Sequence, residues 1–194
     1  MDKDNPTQLK WDEHYKDRQA CQPQPCYGLA KYQYLLPGHG QALDLACGLG
    51  GNALLLAKKG LQTTAWDYSE QAVATLLRYA SEVNLNIQAE LHDVEAEPPK
   101  VDSFDVIVVS HYLDRGLIPY INDALRPGGW LFYQTFTRDA VGQGGPRNPL
   151  YRLAAGELLR LFSGLQPRIY REEGSQGDVT QGLRNEALLV AQKL

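Results

Sequence analysis

The segment from Ala42 to Ala53 constrains the fold of this 194-residue chain more than any other feature. It reads as a short apolar strand with an acid at Asp44, then a turn containing Gly48 and Gly50, then an apolar helix. Glycines in such a turn adopt positive φ and let a ligand approach the backbone closely. The helix that follows points unpaired N–H groups at that ligand. The segment therefore predicts a strand-turn-helix unit that binds a nucleotide.

Glycine spacing alone leaves two classes of nucleotide open. The run from Gly48 to Ala53 also satisfies the looser dinucleotide fingerprint, and Asp67 lies near the position of its ribose-binding acid. Asp44 favours the other class, because a carboxylate repels a pyrophosphate charge ~4 Å away by about 4 kcal/mol at an effective dielectric of ~20. S-adenosylmethionine carries an ammonium and a sulfonium and no phosphate, so the same carboxylate attracts it.

Two further acids follow the next two strands. Asp67 comes after the β-branched segment 62–66, where a carboxylate can accept from both ribose hydroxyls. Asp93 follows the alternating segment 87–92, where it can accept from an adenine amino group. Each acid alone is equally well a solvated loop carboxylate or a helix cap. Three in succession at one crevice favour an adenosyl ligand.

These segments resemble the motifs of the class I S-adenosylmethionine-dependent methyltransferases. Asp44 to Gly50 is similar to their first motif, Trp66 to Ser69 to the second, and His92 to Val94 to the third. From about residue 40 to residue 194 the chain is most similar to the bacterial tellurite-resistance methyltransferases, which are related to thiopurine methyltransferases. This closer resemblance includes Gly50-Gly51-Asn52, Arg126-Pro127-Gly128-Gly129 and Gly156 to Arg160.

The motifs and the resemblance together assign S-adenosylmethionine as cofactor. The expected cofactor-binding residues are those of the glycine turn and the strand ends: Asp44, Ala46, Gly48, Gly50, Asn52, Asp67, Tyr68, Asp93, Val94 and Ser110. The resemblance also implies that an N-terminal segment containing Trp11 and Tyr15 covers the cofactor. The two aromatic residues lie one helical turn apart, so they equally well dock an amphipathic helix. We therefore expect a helical cap over residues 1–40 and a methyltransferase domain over residues 41–194.

Strand and helix signals alternate to the end of the chain, which predicts one α/β domain. Phe104–Ser110 is nearly all apolar and β-branched, as is typical of a central strand. The turn 126–129 is predicted to precede a fifth strand from Trp130 to Phe136. Segments 167–172 and 185–192 are joined without a helix, which favours an antiparallel pair. The expected fold is a single-domain, Rossmann-like, seven-stranded twisted sheet, mostly parallel with an antiparallel final strand and helices on both faces.

Composition restricts the class of partner. A net charge of -4 and a pI near 5.6 argue against nonspecific nucleic-acid binding, which requires a basic surface. The polar N-terminus does not resemble a secretory signal, and no apolar run approaches the ~20 residues needed to span a bilayer. We expect a cytoplasmic protein with a small-molecule partner, no nucleic acid and no membrane. The oligomeric state is left open.

The cysteines do not indicate a disulfide framework, because their number is odd and Cys47 belongs to the glycine turn. Cys21 and Cys26, with His14 upstream, resemble part of a metal site. Structural zinc sites have four ligands, and their usual spacings differ from the spacing of these three residues. We expect two ordinary thiols in a proline-stiffened loop and no metal.

The acceptor side follows from the rule that ligands bind beyond the carboxyl ends of strands in an open sheet. His111 and Tyr112 come directly after the fourth strand. A soft anionic acceptor needs no base, whereas a neutral hydroxyl or amine does, and the imidazole of His111 is the candidate. The alternative is a strand-end histidine that bonds backbone.

Four arginines fall in segments expected at the same edge: Arg115, Arg138, Arg147 and Arg184. Together with Tyr112 they are the candidate acceptor-binding residues, because guanidinium groups offset nearby acids and orient an oxyanion. The resemblance supports Arg184, although the neighbouring His-Arg pair of the tellurite group has no counterpart in Gly177 to Thr180. The alternative is four solvated arginines, with a neutral pocket formed by His111, Tyr112, Tyr133 and Tyr151.

The sequence therefore predicts an S-adenosylmethionine-dependent methyltransferase for a small molecule, including anionic or chalcogen-containing acceptors of the tellurite or thiol type. Two alternatives are an NAD-dependent oxidoreductase, which Asp44 disfavours, and a non-catalytic module that binds S-adenosylmethionine.

Overall fold

The computed structural model of the chain describes residues 6–16 and 22–194. Its strands are β1 (Gln41–Leu45), β2 (Gln62–Asp67), β3 (Ile87–Leu91), β4 (Phe104–Ser110), β5 (Leu125–Phe136), β6 (Gln166–Glu172) and β7 (Glu186–Gln192). Its helices are α1 (Pro6–Lys16), α2 (Tyr27–Tyr32), α3 (Gly51–Lys58), α4 (Glu70–Glu82), α5 (Ile118–Ala124) and α6 (Glu157–Leu161), with 3-10 turns at Gln33–Leu35 and Pro149–Tyr151.

The seven strands form one sheet in the order β3-β2-β1-β4-β5-β7-β6. The neighbouring pairs from β3 to β5 are parallel, and β7 runs antiparallel to both β5 and β6. No helix lies between β6 and β7. The predicted architecture, mostly parallel with an antiparallel final strand, is confirmed.

The start of β5 differs from the prediction. Arg126–Gly129 was expected to precede the strand, yet these residues lie within it as an irregularity in the pairing with β4. Gly128 adopts a φ of 82°, as the expected turn requires. Backbone hydrogen bonds of Gly128 and Gly129 with Lys193 hold the turn at the sheet. The local conformation is therefore a turn, and the ladder continues on both sides of it.

Helices cover both faces of the sheet, and β4 shows this most directly. Val106 and Val108 belong to the same apolar cluster as Leu56 of α3. Ile107 and Val109 belong to another, which contains Ile121 of α5. Because successive side chains of a strand point to opposite faces, both faces of β4 need apolar residues. The nearly continuous apolar run of this strand follows from that position.

Candidate functional site

The sheet has its topological switch point between β1 and β4. From this pair the chain builds β2 and β3 on one side and β5 to β7 on the other. Ala46, just after β1, and His111, just after β4, are non-glycine residues with φ of 55° and 57°. Such left-handed conformations cost energy and cluster at functional sites. The crevice at the carboxyl ends of these strands is where open α/β sheets bind ligands.

The glycine turn has the predicted form. Gly48 and Gly50 adopt φ of 53° and 82°, and Gly50 is the N-cap of α3. A Cβ on Gly50 would lie 2.3 Å from a side-chain carbon of Leu76. A Cβ on Gly48 would lie 3.0 Å from the Tyr15 hydroxyl oxygen. The turn thus requires glycine at Gly50 for both conformation and space.

Asp67 connects the end of β2 to the glycine turn. Its Oδ2 accepts from the Gly48 N–H at 2.7 Å and its Oδ1 from the Ser69 N–H at 2.9 Å. Burial raises the pKa of this carboxyl to about 6, although the backbone donors partly oppose the shift. Asp67 is 6% exposed. It stands where the sequence analysis expected the ribose-binding acid.

Asp44 is enclosed more completely than the sequence analysis assumed. It is fully buried; its Oδ2 accepts from the Ala53 N–H at 2.9 Å and its Oδ1 from the Asn52 amide at 3.2 Å. Burial raises the pKa of Asp44 to about 8, and the charge of Asp67 adds to the shift. Asp44 is therefore largely protonated at neutral pH until a cation comes near. Its repulsion of a pyrophosphate depends on that ionisation.

Asn52 joins three parts of the chain at the switch point. Its amide nitrogen donates to the Ser110 hydroxyl at 2.9 Å as well as to Asp44. Its Oδ1 accepts from the Cys26 N–H at 2.9 Å. A Cβ on Gly51 would lie 2.0 Å from the Gln24 carbonyl oxygen, so the segment before α2 packs closely on the start of α3. No local sequence pattern indicates this linking role of Asn52.

On the β3 side, the structure gathers several predicted residues around one acid. Asp93 accepts from the backbone N–H groups of Glu95 and the residue after it, each at 3.1 Å. Burial raises the pKa of Tyr68, and the charges of Asp93 and Glu95 add to the shift. The Tyr112 hydroxyl donates to Glu95 at 3.3 Å. Val94 is buried in the core. Sequence reasoning missed Glu95.

Helix α1 lies across the glycine turn and the start of α4. Its Asp12 accepts from the Ser69 hydroxyl at 2.6 Å and from the Gln71 N–H at 3.2 Å. Ser69 also caps α4, as predicted. The rings of Trp11 and Tyr15 stack with centroids 6.1 Å apart. Among the residues of α1 only the polar Gln8 is buried, so the bonds of Asp12, and not an apolar face, fix the helix against the start of α4.

On the β5 side, His111 forms a pair with a residue that the sequence analysis did not single out. His111 Nε2 lies 3.1 Å from Glu186 Oε1. The second carboxylate oxygen of Glu186 accepts from the Gln134 amide, whose own oxygen accepts from the Gly28 N–H at 2.7 Å. Burial opposes ionisation of Glu186, yet the bonds from His111 and Gln134 keep the pKa of its carboxyl below the usual range.

Three of the four predicted acceptor arginines bind the protein's own acceptors, and two of them, Arg115 and Arg184, do so through several bonds each. Arg115 forms a two-pronged ion pair with Glu157 at 2.7 and 3.1 Å and also donates to two carbonyls. All three nitrogens of Arg184 donate to carbonyl oxygens of the loop between β6 and β7. These guanidinium groups organise loops. The expected arrangement, with Arg115 and Arg184 facing an oxyanion, is not the one observed.

The remaining acceptor candidates are divided between surface and core. Arg138 donates to the Pro149 carbonyl at 3.3 Å, and Arg147 is exposed. Tyr151 is also exposed. Tyr133 is fully buried, and its hydroxyl donates to the Tyr112 carbonyl at 3.0 Å. The inclusion of Tyr133 in a neutral pocket is therefore wrong, because β5 directs its ring into the core.

The candidate thiol pair is described only in part, because Cys21 lies outside the described residues. Cys26 is buried, and burial raises the pKa of its thiol to about 12. Over residues 6–16 and 22–194, no group of three or more histidine, cysteine and acidic side chains is arranged to hold a metal ion. No helix in this described part is long and apolar enough to cross a membrane.

A doubly wound sheet, with a glycine turn and buried acids at its switch point, defines a Rossmann-like nucleotide-binding domain. Residues 42–129 match the family described as "Methyltransferase domain". Over this region the chain is similar to class I S-adenosylmethionine-dependent methyltransferases of the TehB-like type, and its fold is the fold of TehB. The TehB relative is named as S-adenosyl-L-methionine-dependent, which favours S-adenosylmethionine over the dinucleotide of the oxidoreductase alternative.

Two curated relatives and one crystal structure illustrate the similarity. The probable S-adenosyl-L-methionine-dependent methyltransferase TehB of Haemophilus influenzae is 37% identical over 84 residues, 42% of this chain and 29% of that protein. A ubiquinone biosynthesis O-methyltransferase of Methylocella silvestris is 30% identical over 128 residues, 63% of this chain and 45% of that protein. The crystal structure of Haemophilus influenzae TehB superposes with a TM-score of 0.72 and 22% identity, covering 95% of this chain and 67% of that one. The chain spans less than half the length of these curated relatives.

Proposed function

We propose that this protein transfers a methyl group from S-adenosylmethionine to a small-molecule acceptor in the cytoplasm. One observation carries the proposal: Asp67 is fixed on the glycine turn at the switch point of a methyltransferase domain. The supporting chemistry is a cationic ligand beside buried acids. No ion pair in residues 6–16 and 22–194 involves Asp44 or Asp67, although both are buried. A cofactor that carries an ammonium and a sulfonium fits this charge pattern.

We divide the residues into those that would touch the cofactor and those that support them. Asp67 accepts from the backbone N–H groups of Gly48 and Ser69 and also bonds the backbone of Tyr68, and the remaining lone pairs of the carboxylate would accept from ribose hydroxyls. Asp93 and Tyr68 would border the adenine. The backbone of Ala46, Gly48 and Gly50 would lie against the methionine part. We assign the enclosed side chains, Asp44, Asn52, Val94 and Ser110, to shaping the crevice, and residues 1–40 to a cap over it.

In methyl transfer, the main contributions of this chain would be to orient the two reactants and to exclude water from the site. When bound, S-adenosylmethionine supplies a methyl group on a sulfonium, which a nucleophile displaces directly. Orientation of the two reactants can contribute of order 7 to 11 kcal/mol. Helix α1 over the glycine turn excludes water from the cofactor side.

The acceptor is proposed to present a chalcogen or oxygen nucleophile, including the tellurite and thiol types. Support for oxygen comes from the similarity to an O-methyltransferase. An oxyanion requires cations, and Arg138 and Arg147 remain as its candidates, since Arg115 and Arg184 are bonded within their loops. Tyr112 and His111 border the same mouth.

The test of the cofactor is calorimetry with S-adenosylhomocysteine. We expect binding to the wild type, and Asp67→Ala should weaken it at least tenfold, because charge-assisted bonds of roughly 1.5 to 3 kcal/mol each are lost. Asp123→Ala, which changes an exposed aspartate on α5, should bind as the wild type does. Circular dichroism checks that Asp67→Ala remains folded.

A wild type that prefers NAD, or a folded Asp67→Ala variant with unchanged affinity, would refute the cofactor assignment. Catalysis is tested by release of S-adenosylhomocysteine against thiols, phenols, amines, selenite and tellurite. Binding without turnover of any acceptor would favour the non-catalytic alternative.

A further inference from the structure

The pair His111 and Glu186 combines an accessible imidazole with a sheltered carboxylate. The side chain of His111 is 44% exposed and that of Glu186 is 17% exposed. His111 follows β4, and Glu186 begins β7, two strands away in the sheet. A histidine that serves only as a strand-end hydrogen-bonding group does not need a partly buried acid from another strand. The pairing of an exposed imidazole with a less exposed carboxylate from another strand therefore needs an explanation.

The carboxylate of Glu186 is held from both sides. Gln134 is buried on β5, between the two strands, and donates to Glu186 Oε2, while Glu186 Oε1 faces His111. The oxygen of Gln134 accepts from the Gly28 N–H, which fixes the orientation of the amide. Because the amide can then present only its NH₂ to Glu186, the carboxylate has one orientation.

The imidazole of His111 is held as well. Its backbone N–H donates to the Gln134 carbonyl at 2.8 Å, and its ring lies 5.0 Å from the ring of Phe136. With Nε2–H donating to Glu186, the unprotonated nitrogen is Nδ1. Within the described residues no hydrogen bond to Nδ1 is present. A neutral imidazole fixed in this tautomer presents a lone pair at the mouth of the crevice.

We propose that His111 is the general base for an acceptor that must lose a proton, a thiol or a hydroxyl compound, and that Glu186 is the residue that positions it. This inference rests on the proposed methyl transfer and narrows its substrate class. Glu186 would stabilise the imidazolium formed, as a carboxylate does behind a catalytic histidine.

The step balances without any further reactant. The S–H or O–H bond of the acceptor breaks, and its proton goes to His111 Nδ1. The electron pair left on sulfur or oxygen forms the bond to the methyl carbon, while the carbon–sulfur pair of the sulfonium stays on sulfur. The products are the methylated acceptor, S-adenosylhomocysteine and an imidazolium, which then returns its proton to water.

The surroundings favour a neutral protic acceptor over an oxyanion. The acidic groups on this side of the imidazole include Glu186 and, behind it, the buried thiol of Cys26, whose pKa burial raises to about 12. The side chains of β5 at this point, Gln134 and Phe136, carry no charge. A negative ion would therefore meet the Glu186 carboxylate beside the imidazole, whereas the guanidinium of Arg152, 5.9 Å from the Phe136 ring, already donates to the carbonyls of Thr137 and Pro146.

The experiment compares substrates that need a base with substrates that do not. 2-Mercaptoethanol and catechol serve as protic probes, and tellurite and selenite as oxyanions that bring a lone pair without losing a proton. His111→Asn is the informative variant, because asparagine tolerates the left-handed backbone that this position requires. We expect it to lower kcat for protic probes by about 100-fold or more. Glu186→Gln should lower kcat about tenfold and move the acid limb of the rate–pH profile to lower pH.

Controls separate the base from the fold and from the cofactor. His39→Asn and Glu82→Gln change exposed residues away from the carboxyl edge and should leave turnover unchanged. Both site variants should bind S-adenosylhomocysteine within about twofold of the wild type. A wild type that binds no S-adenosylhomocysteine would defeat the proposed function itself. Normal binding, with protic turnover and a pH profile unaffected by either variant, would overturn the inference alone.

A readout independent of turnover is the tautomer of His111, measured by ¹⁵N NMR of the ring. The wild type should show the proton on Nε2, and Glu186→Gln should show a mixture of tautomers. A wild-type mixture, or turnover of the oxyanions without turnover of the thiol and catechol, would contradict the proposal.

Discussion

At the scale of single residues, Asp44 makes the stability of the fold depend on protons. The carboxyl is fully buried without a cationic neighbour among the described residues, and its pKa is raised to about 8. In the unfolded chain it returns to an ordinary pKa of about 3.9. Between these values the native state binds a proton that the unfolded state does not, so stability is full below the lower value and decreases as pH rises toward 8.

This linkage predicts the behaviour of Asp44→Asn, which imitates the protonated acid. Between about pH 4 and 8 the wild type should lose up to roughly 1.4 kcal/mol per pH unit relative to the variant. Urea unfolding at a series of pH values measures the difference. Asp123→Asn, at an exposed position, serves as the control with no change in slope. Parallel curves for the wild type and Asp44→Asn would show that Asp44 is ionised throughout.

At the scale of elements, the site depends on one side chain at the start of α3. Asn52 holds the end of β1 through Asp44, the end of β4 through Ser110 and the segment before α2 through Cys26. The loop, the helix and both central strands therefore keep their relative positions through a single amide. Because Asn52 is buried, its removal leaves one donor, the Cys26 N–H, and two acceptors, on Asp44 and Ser110, without their partner.

Asn52→Ala is expected to cost about 2 to 4 kcal/mol, since several buried groups lose their partners at once. Ser110→Ala is the matched control, because it removes a single bond of the same set, and it should cost about 1 kcal/mol. Chemical denaturation of both variants gives the comparison. Equal losses would mean that the amide does not connect the elements as described.

The elements whose conformation is determined by their own residues could be predicted from the sequence. The periodicity of β1 and β4 and the glycines of the turn specify their own conformation, and the bounds of β4, Phe104–Ser110, agree with the prediction. The acid of Asp67 was also correctly placed at the turn. The start of β5 was missed, because Gly128 reads as a break in the strand while Lys193, far along the chain, keeps that turn at the sheet.

Long-range pairing explains what the sequence could not give on the acceptor side. His111 and Glu186 are 75 positions apart, and only the antiparallel direction of β7 brings its first residue to the edge where the other strands end. Arg115 and Arg184 likewise bind groups of the protein, Glu157 and backbone carbonyls, and not a ligand. The sequence did not predict these partners, because they lie far along the chain or depend on the fold of a loop. No local pattern distinguishes these two uses of an arginine.

At the scale of the whole molecule, stability should depend on both faces of the sheet. Leu188 and Leu189 are neighbours on β7, yet they belong to different apolar clusters on opposite faces. We expect Leu188→Ala and Leu189→Ala each to cost about 2 to 5 kcal/mol, because each leaves a cavity in a closed core. Leu194→Ala, at a position that is 81% exposed, should change stability by less than about 0.5 kcal/mol. Thermal denaturation measures these changes in stability. If one of the two core variants were as stable as the wild type, the face of the sheet on which that leucine lies would be open to solvent.

The switch point between β1 and β4 also divides the chain along its length. Apart from Ser110, the residues proposed for the cofactor stand before residue 95, and those proposed for the acceptor stand after residue 110. A genetic crossover within the connection from β3 to β4 would therefore exchange one acceptor chemistry for another and carry the cofactor machinery over unchanged. The cofactor half, before residue 95, and the acceptor half, after residue 110, can therefore be inherited separately by recombination, although they fold as one sheet.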